Sequence, residues 1–176
     1  MSKDQLLESL KLAIKTEEDG RAMYIDASAK VTNPLAKSTF AQLAKEENIH
    51  IDLIKKFYNS ISSGGEGVVS KEIEKAMNYN LLKKTIFEAA KSRMQATVSS
   101  DPDVTKAYKA AMKFEEDGAK MYEKSSAETD NPKAKKLYDF MCLQENEHYR
   151  LLAETLNYLE NPHQWFIEEE RPHFEG

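Results

Sequence analysis

Cysteine is nearly absent from these 176 residues, Cys142 being the single one. Within one chain a lone thiol excludes disulfide frameworks, paired-cysteine redox motifs and cysteine-based zinc or iron–sulfur sites, so any metal must be held by Glu, Asp and His. Proline and glycine are scarce as well, at 5 and 6 residues, which fits long helices better than sheets and their many turns. No segment approaches the ~20 apolar residues of a membrane span. The opening, MSKDQLLESLK, carries charges within its first turns and has no apolar run like a secretory signal. A cytoplasmic protein with no membrane partner is expected. Basic clusters are also lacking: Lys and Arg are interleaved with Asp and Glu, and the formal net charge is −5, so no nucleic-acid partner is implied.

Charged residues make up 31% of the chain, and Leu, Ala, Lys and Glu are abundant. That is the composition of amphipathic helices, and the expected class is all-α. The length suits one domain over residues 1–176, able to bury roughly two thirds of its unfolded surface without staples.

The strongest pattern is an internal repeat. Residues 13–54 align with residues 111–152 at a constant offset of 98 (115 − 17 = 98), without a gap. AIKTEEDGRAMY matches AMKFEEDGAKMY, Asn33-Pro34 falls on Asn131-Pro132, and Glu47-Asn48-Ile49-His50 falls on Glu145-Asn146-Glu147-His148. Two helical hairpins of one design follow each other.

Punctuation sets the boundaries. Asn33-Pro34, Asn131-Pro132 and Asp101-Pro102 each place a capping residue before a proline suited to the first helical position, and Ser63–Gly67 reads as a loop. Helices are expected near 3–31, 34–61, 102–129 and 132–160. Hairpin one is then 3–61, a connection runs over 62–101, hairpin two is 102–160, and a short tail covers 161–176. Within the connection Ile73, Met77, Leu81, Ile86 and Ala89 fall at roughly helical spacing, predicting one or two accessory helices over 71–97. A long crossover between the second and third helices fits a ferritin-like four-helix bundle. Trp165 and Phe166 are the expected anchors of the tail.

Each helix has one core-facing seam at spacings of three and four, and each seam is broken by acidic or His residues. In the first helix Leu6, Leu10, Ala13, Gly20 and Tyr24 flank Glu17; in the third, Val104, Tyr108, Ala111, Gly118 and Tyr122 flank Glu115. The second helix interrupts Phe40, Leu43, Ile54 and Phe57 with Glu47 and His50. The fourth interrupts Tyr138, Met141 and Leu152 with Glu145 and His148. Residues three apart lie almost above one another, so both members of each Glu-x-x-His pair share a face.

Depth can be reckoned from the turns. Glu17 lies 14 residues before Val31, while Glu47 and His50 lie 13 and 16 after Pro34. At about 1.5 Å per residue, both groups stand roughly 20–24 Å from their shared turn. Glu115, Glu145 and His148 repeat the arithmetic in the second hairpin, so all six side chains are expected at one level. Four buried carboxylates repel one another and each costs several kcal/mol to desolvate alone. Two divalent cations balance about four negative charges, with neutral imidazoles completing the coordination. One Glu from each of two helices plus Glu-x-x-His from the other two is a carboxylate-bridged two-metal pattern.

Weaker signals surround this set. Gly20 and Gly118 sit in helix interiors, where Gly costs about 1 kcal/mol relative to Ala; space beside the metals and close helix approach both account for them. Tyr24 and Tyr122 lie on the seams two turns from Glu17 and Glu115, able to hydrogen-bond a ligand carboxylate or pass an electron, or simply to fill the core. Glu18, Asp19, Glu46, Glu116 and Asp117 fall off the seams and are expected on solvated faces. His163 and His173 in the tail lack partners at helical spacing.

Through EEDGRAMY with EENIH, and EEDGAKMY with QENEH, the chain resembles the rubrerythrin family of the ferritin-like superfamily over about residues 3–160. The resemblance implies a di-iron protein that reduces hydrogen peroxide, as in oxidative-stress defence, with Glu17, Glu47, His50, Glu115, Glu145 and His148 as ligands and Glu47 and Glu145 as bridges. Manganese or a mixed pair suits the same hard ligands. Typical members append a rubredoxin domain with four cysteine ligands. With one cysteine here, an external electron donor such as rubredoxin is expected, and the assembly expected is a homodimer or higher homo-oligomer. Typical members also carry a further Glu one turn beyond the third-helix ligand, where this chain has Gly118. Ferroxidase or oxygen-activating oxidase chemistry, and non-catalytic metal storage, use the same ligand set and stay open.

Overall fold

The computed structural model describes residues 1–65 and 102–161. The accessory helices expected over 71–97, the tail anchors Trp165 and Phe166, and His163 and His173 lie outside those residues.

The described residues form four helices: α1 (Lys3–Lys30), α2 (Pro34–Ser62), α3 (Pro102–Glu128) and α4 (Pro132–Glu160). The Asn-Pro punctuation starts two of them. The Asn33 side chain accepts from the backbone N–H groups of Leu35 and Ala36 at 2.9 and 3.1 Å, and Asn131 does the same for Lys133 and Ala134 at 3.0 and 2.9 Å. Such a cap contributes about 1 kcal/mol. A capping box between Ser2 and Gln5 opens α1.

Helix α1 packs along α2 and α3 along α4 as two hairpins, which meet through α1 against α3 and α2 against α4. The ends fix the orientation. The Met1 amine pairs with Asp130 at 2.5 Å, just past the end of α3, so α1 and α3 run antiparallel. At the opposite end Thr105, near the start of α3, donates to Glu160 at 3.2 Å. Lys3 reaches the Ser62 carbonyl at 3.5 Å. Gly65 and Pro102 therefore stand at opposite ends of the bundle, as one long crossover requires.

Two apolar layers fill the interior. One is built around Leu10, Ile54, Phe57, Leu137 and Met141, the other around Phe40, Leu43, Tyr108, Ala111 and Leu152. Burying each large side chain contributes roughly 1.5–3 kcal/mol. Between the layers lies a polar slab.

Candidate metal centre

The seam positions converge as their spacing dictates. Glu17, Glu47, His50, Glu115, Glu145 and His148 are each at most 2% exposed, at mid-height between the apolar layers. Ligand atoms of Glu17, Glu47, His50 and Glu145 all lie within 4.8 Å of one another, and so do those of Glu47, Glu115, Glu145 and His148. The two groups share Glu47 and Glu145. Each adds one further Glu and one His, which is the arrangement of two adjacent metal positions bridged by two carboxylates.

Both imidazoles turn the same nitrogen inward. His50 Nδ1 is 3.0 Å from Glu17 Oε2 and 3.4 Å from Glu47 Oε2. His148 Nδ1 is 3.4 Å from Glu47 Oε1 and from Glu115 Oε2. The rings stack with centroids 5.3 Å apart. Tyr24 donates to Glu115 and Tyr122 donates to Glu17, so each tyrosine braces the carboxylate of the opposite hairpin.

Electrostatics test whether metals fit. Burial, then repulsion from Glu47, pushes the Glu17 carboxyl up to about 8. Glu145 is pushed well above the carboxylate range by burial and by Glu17, Glu115 and Glu47. Burial opposes ionisation of Glu47 too, yet the neighbouring Glu17, His148 and His50 hold it well below its ordinary value. Burial disfavours the His50 cation, but Glu17 and Glu47 overcome it and raise the imidazole to about 9. Without metal, protons thus supply the countercharge that the slab needs. Glu47 Oε1, Glu115 Oε2 and Glu145 Oε1 are buried and accept no hydrogen bond. Orphaned carboxylate oxygens facing a common centre are expensive unless a cation takes them. The donor set, hard oxygens with two imidazoles, fits two first-row divalent ions.

The space beside each interior glycine is occupied by a side chain. A Cβ on Gly20 would meet the Phe114 ring at 2.8 Å, and one on Gly118 would stand 3.1 Å from Glu145 Oε2. Glycine here admits a ring on one side and a candidate ligand carboxylate on the other, and at Gly118 the space beside the helix is taken by Glu145.

Asp19, Glu116 and Asp117 are exposed and Glu18 is partly so, pairing with Lys55, but Glu46 is only 2% exposed. Its Oε2 lies 3.0 Å from His148 Nε2, and its Oε1 accepts from Gln42 at 2.9 Å. Helix α2 buries a second row as well as its seam, because it faces both α1 and α4. Leu35, Thr39 and Leu53 are buried on that row with Glu46. The apolar residues flanking Glu46 at helical spacing were the available signal.

A groove of about 400 Å³ opens between α1 and α3, lined by Met23, Ala27, Val104 and Ala107 together with the charged Asp26, Lys30 and Asp103, and with Tyr24 among its lining residues. No helix among the described residues is long and apolar enough to cross a membrane.

The sequence profile of the family described as Rubrerythrin matches residues 8–156. No curated protein matches the chain. Among solved structures, a hypothetical protein from Pyrococcus furiosus superposes with a TM-score of 0.63 over 89% of this chain and 90% of its own, at 24% identity; that likeness speaks to the fold.

Proposed function

We propose, from the premise that the chain belongs to the rubrerythrin family, that it is a di-iron oxidoreductase reducing hydrogen peroxide with electrons from an external donor. The observation that carries this reading is the pair of four-ligand groups sharing Glu47 and Glu145 in a water-excluding slab. Glu17, Glu47, His50 and Glu145 would hold one iron, and Glu47, Glu115, Glu145 and His148 the other. When bound, such a pair would supply the two electrons that, together with two protons, cleavage of a peroxide O–O bond to two waters consumes.

The chain's own residues set the conditions. Apolar layers on both sides keep bulk water out and strengthen every charge interaction inside. Tyr24 and Tyr122 are assigned the positioning of Glu115 and Glu17 through the hydroxyl bonds they donate, and from there each can relay a proton or an electron. The groove that reaches Tyr24 offers a small oxidant an approach. These residues hold one cysteine, too few for a rubredoxin-type iron, which supports a separate donor such as rubredoxin. We place the reaction in the cytoplasm, in a homodimer or higher homo-oligomer.

A ferroxidase or oxidase reading is favoured by one observation, the absence of a further ligand carboxylate at Gly118, where Glu145 Oε2 fills the space. Stopped-flow absorbance separates the two. Ferrous-loaded protein mixed with equal concentrations of peroxide or oxygen is expected to oxidise faster with peroxide and to turn over only when rubredoxin is added. Faster oxidation by oxygen moves the assignment to the ferroxidase or oxidase.

A further inference from the structure

The repeat that duplicates the six ligands does not duplicate what stands behind them. Behind His148, Gln42 donates to Glu46 Oε1 at 2.9 Å, and Glu46 Oε2 lies 3.0 Å from His148 Nε2. At the offset of 98 the counterparts of Gln42 and Glu46 are Phe140 and Gln144 (42 + 98 = 140; 46 + 98 = 144). Phe140 and Gln144 are both buried, so each hairpin commits this row to the interior, but only the first puts a carboxylate and its amide anchor there.

A carboxylate behind a metal-binding imidazole does two things. It accepts from Nε2–H, which fixes the tautomer that leaves the Nδ1 lone pair for the metal. It also adds negative charge a few ångströms from the cation in a low-dielectric slab, and so makes the imidazole a stronger donor. Glutamine at the corresponding place is neutral. Glu46 is held at both oxygens, by Gln42 and by His148, so its orientation is set independently of any cation.

We infer that Glu46 is a positioning residue that makes the two metal positions unequal, the one on His148 and Glu115 filling first and more tightly than the one on His50 and Glu17. This rests on the two-metal reading above. It predicts stepwise loading from a ligand set that, counted alone, is symmetric.

Titration of the metal-free chain with Co²⁺, followed by calorimetry and by visible absorption, tests it. Wild type is expected to take up two ions in two resolved steps. Glu46→Gln, which places in hairpin one the residue that hairpin two already has, is expected to weaken the tighter step about 10- to 100-fold, so that the steps merge. Gln144→Glu is expected to tighten the weaker step and serves equally if Glu46→Gln folds poorly. In Zn²⁺-loaded protein labelled with ¹⁵N-histidine, Glu46→Gln should shift the Nε2 resonance of His148 and leave His50 in place, which loss of packing alone would not do. Two ions bound by Glu46→Gln with the wild-type steps and an unmoved His148 resonance would overturn the inference. Fewer than two ions on wild type would instead overturn the two-metal reading beneath it.

Discussion

The two hairpins carry the same candidate ligands at the same depth, yet they differ immediately behind those residues. Glu17 and Glu115, Glu47 and Glu145, and His50 and His148 are paired by the repeat, as are the crossed braces from Tyr122 and Tyr24. Glu46 against Gln144, Gln42 against Phe140, and Thr16 against Phe114 are not. The lesson is that a pseudo-twofold ligand set does not make a symmetric site, because the field and the steric limits come from residues outside it.

Metal stoichiometry is the most forceful way to break the comparison. Glu47 belongs to both four-ligand groups, so Glu47→Ala should reduce loading from two ions per chain to near none. Glu17→Ala and Glu115→Ala each touch one group and should each lose about one ion, as read by elemental analysis after reconstitution. If only one of the two single-group variants matters, the symmetric part of the comparison fails.

A smaller effect separates the protonated slab from the loaded one. Glu17 titrates near 8 when folded, against 4.5 ordinarily, so the folded chain keeps a proton that the unfolded chain has released, and stability falls as pH rises through that window. His50, raised from 6.5 to about 9, adds stability below 6.5 and loses it by 9. Glu145 acts in the direction of Glu17, while the depressed Glu47 matters only as pH falls below its ordinary value. Metal-free protein should therefore lose on the order of 10 °C of Tm between pH 6.5 and 9, since about 1 kcal/mol is worth roughly 2–4 °C in a domain of this size. Metal should abolish that slope by replacing the protons, and calorimetry with and without chelator would expose a flat metal-free profile if the protons are not there.

The smallest expected effect lies at the glycines. Gly118→Ala puts a Cβ against Glu145 Oε2, whereas Gly20→Ala meets the edge of a phenylalanine ring that can move. We expect metal affinity to drop severalfold for Gly118→Ala and to stay within about twofold for Gly20→Ala, with alanine's better helix propensity offsetting part of the strain in both. Equal losses in a Co²⁺ titration would mean that the two cradles are alike after all.

Much of this site is legible in the sequence. Asn33-Pro34 and Asn131-Pro132 start α2 and α4 because a side-chain acceptor followed by a fixed φ is a local instruction. The seams locate Glu17, Glu47, His50, Glu115, Glu145 and His148 because helical periodicity decides which residues share a face, and constant rise decides their depth. Glu46 is buried where a single seam per helix predicts a solvated face, because a bundle helix packs against a second neighbour.

Periodicity and rise are properties of one helix, and by themselves they determined the elements, the inward faces and the common level of the six candidate ligands. Which partner each inward group meets is a property of helix pairs, and only the tertiary structure decided it. Tyr24 stands about 10 Å along the axis from Glu17 on its own helix, at about 1.5 Å per residue, so it cannot brace that carboxylate. It reaches Glu115 because α3 runs antiparallel beside it, and His148 meets Glu46 because α4 lies against the second buried row of α2.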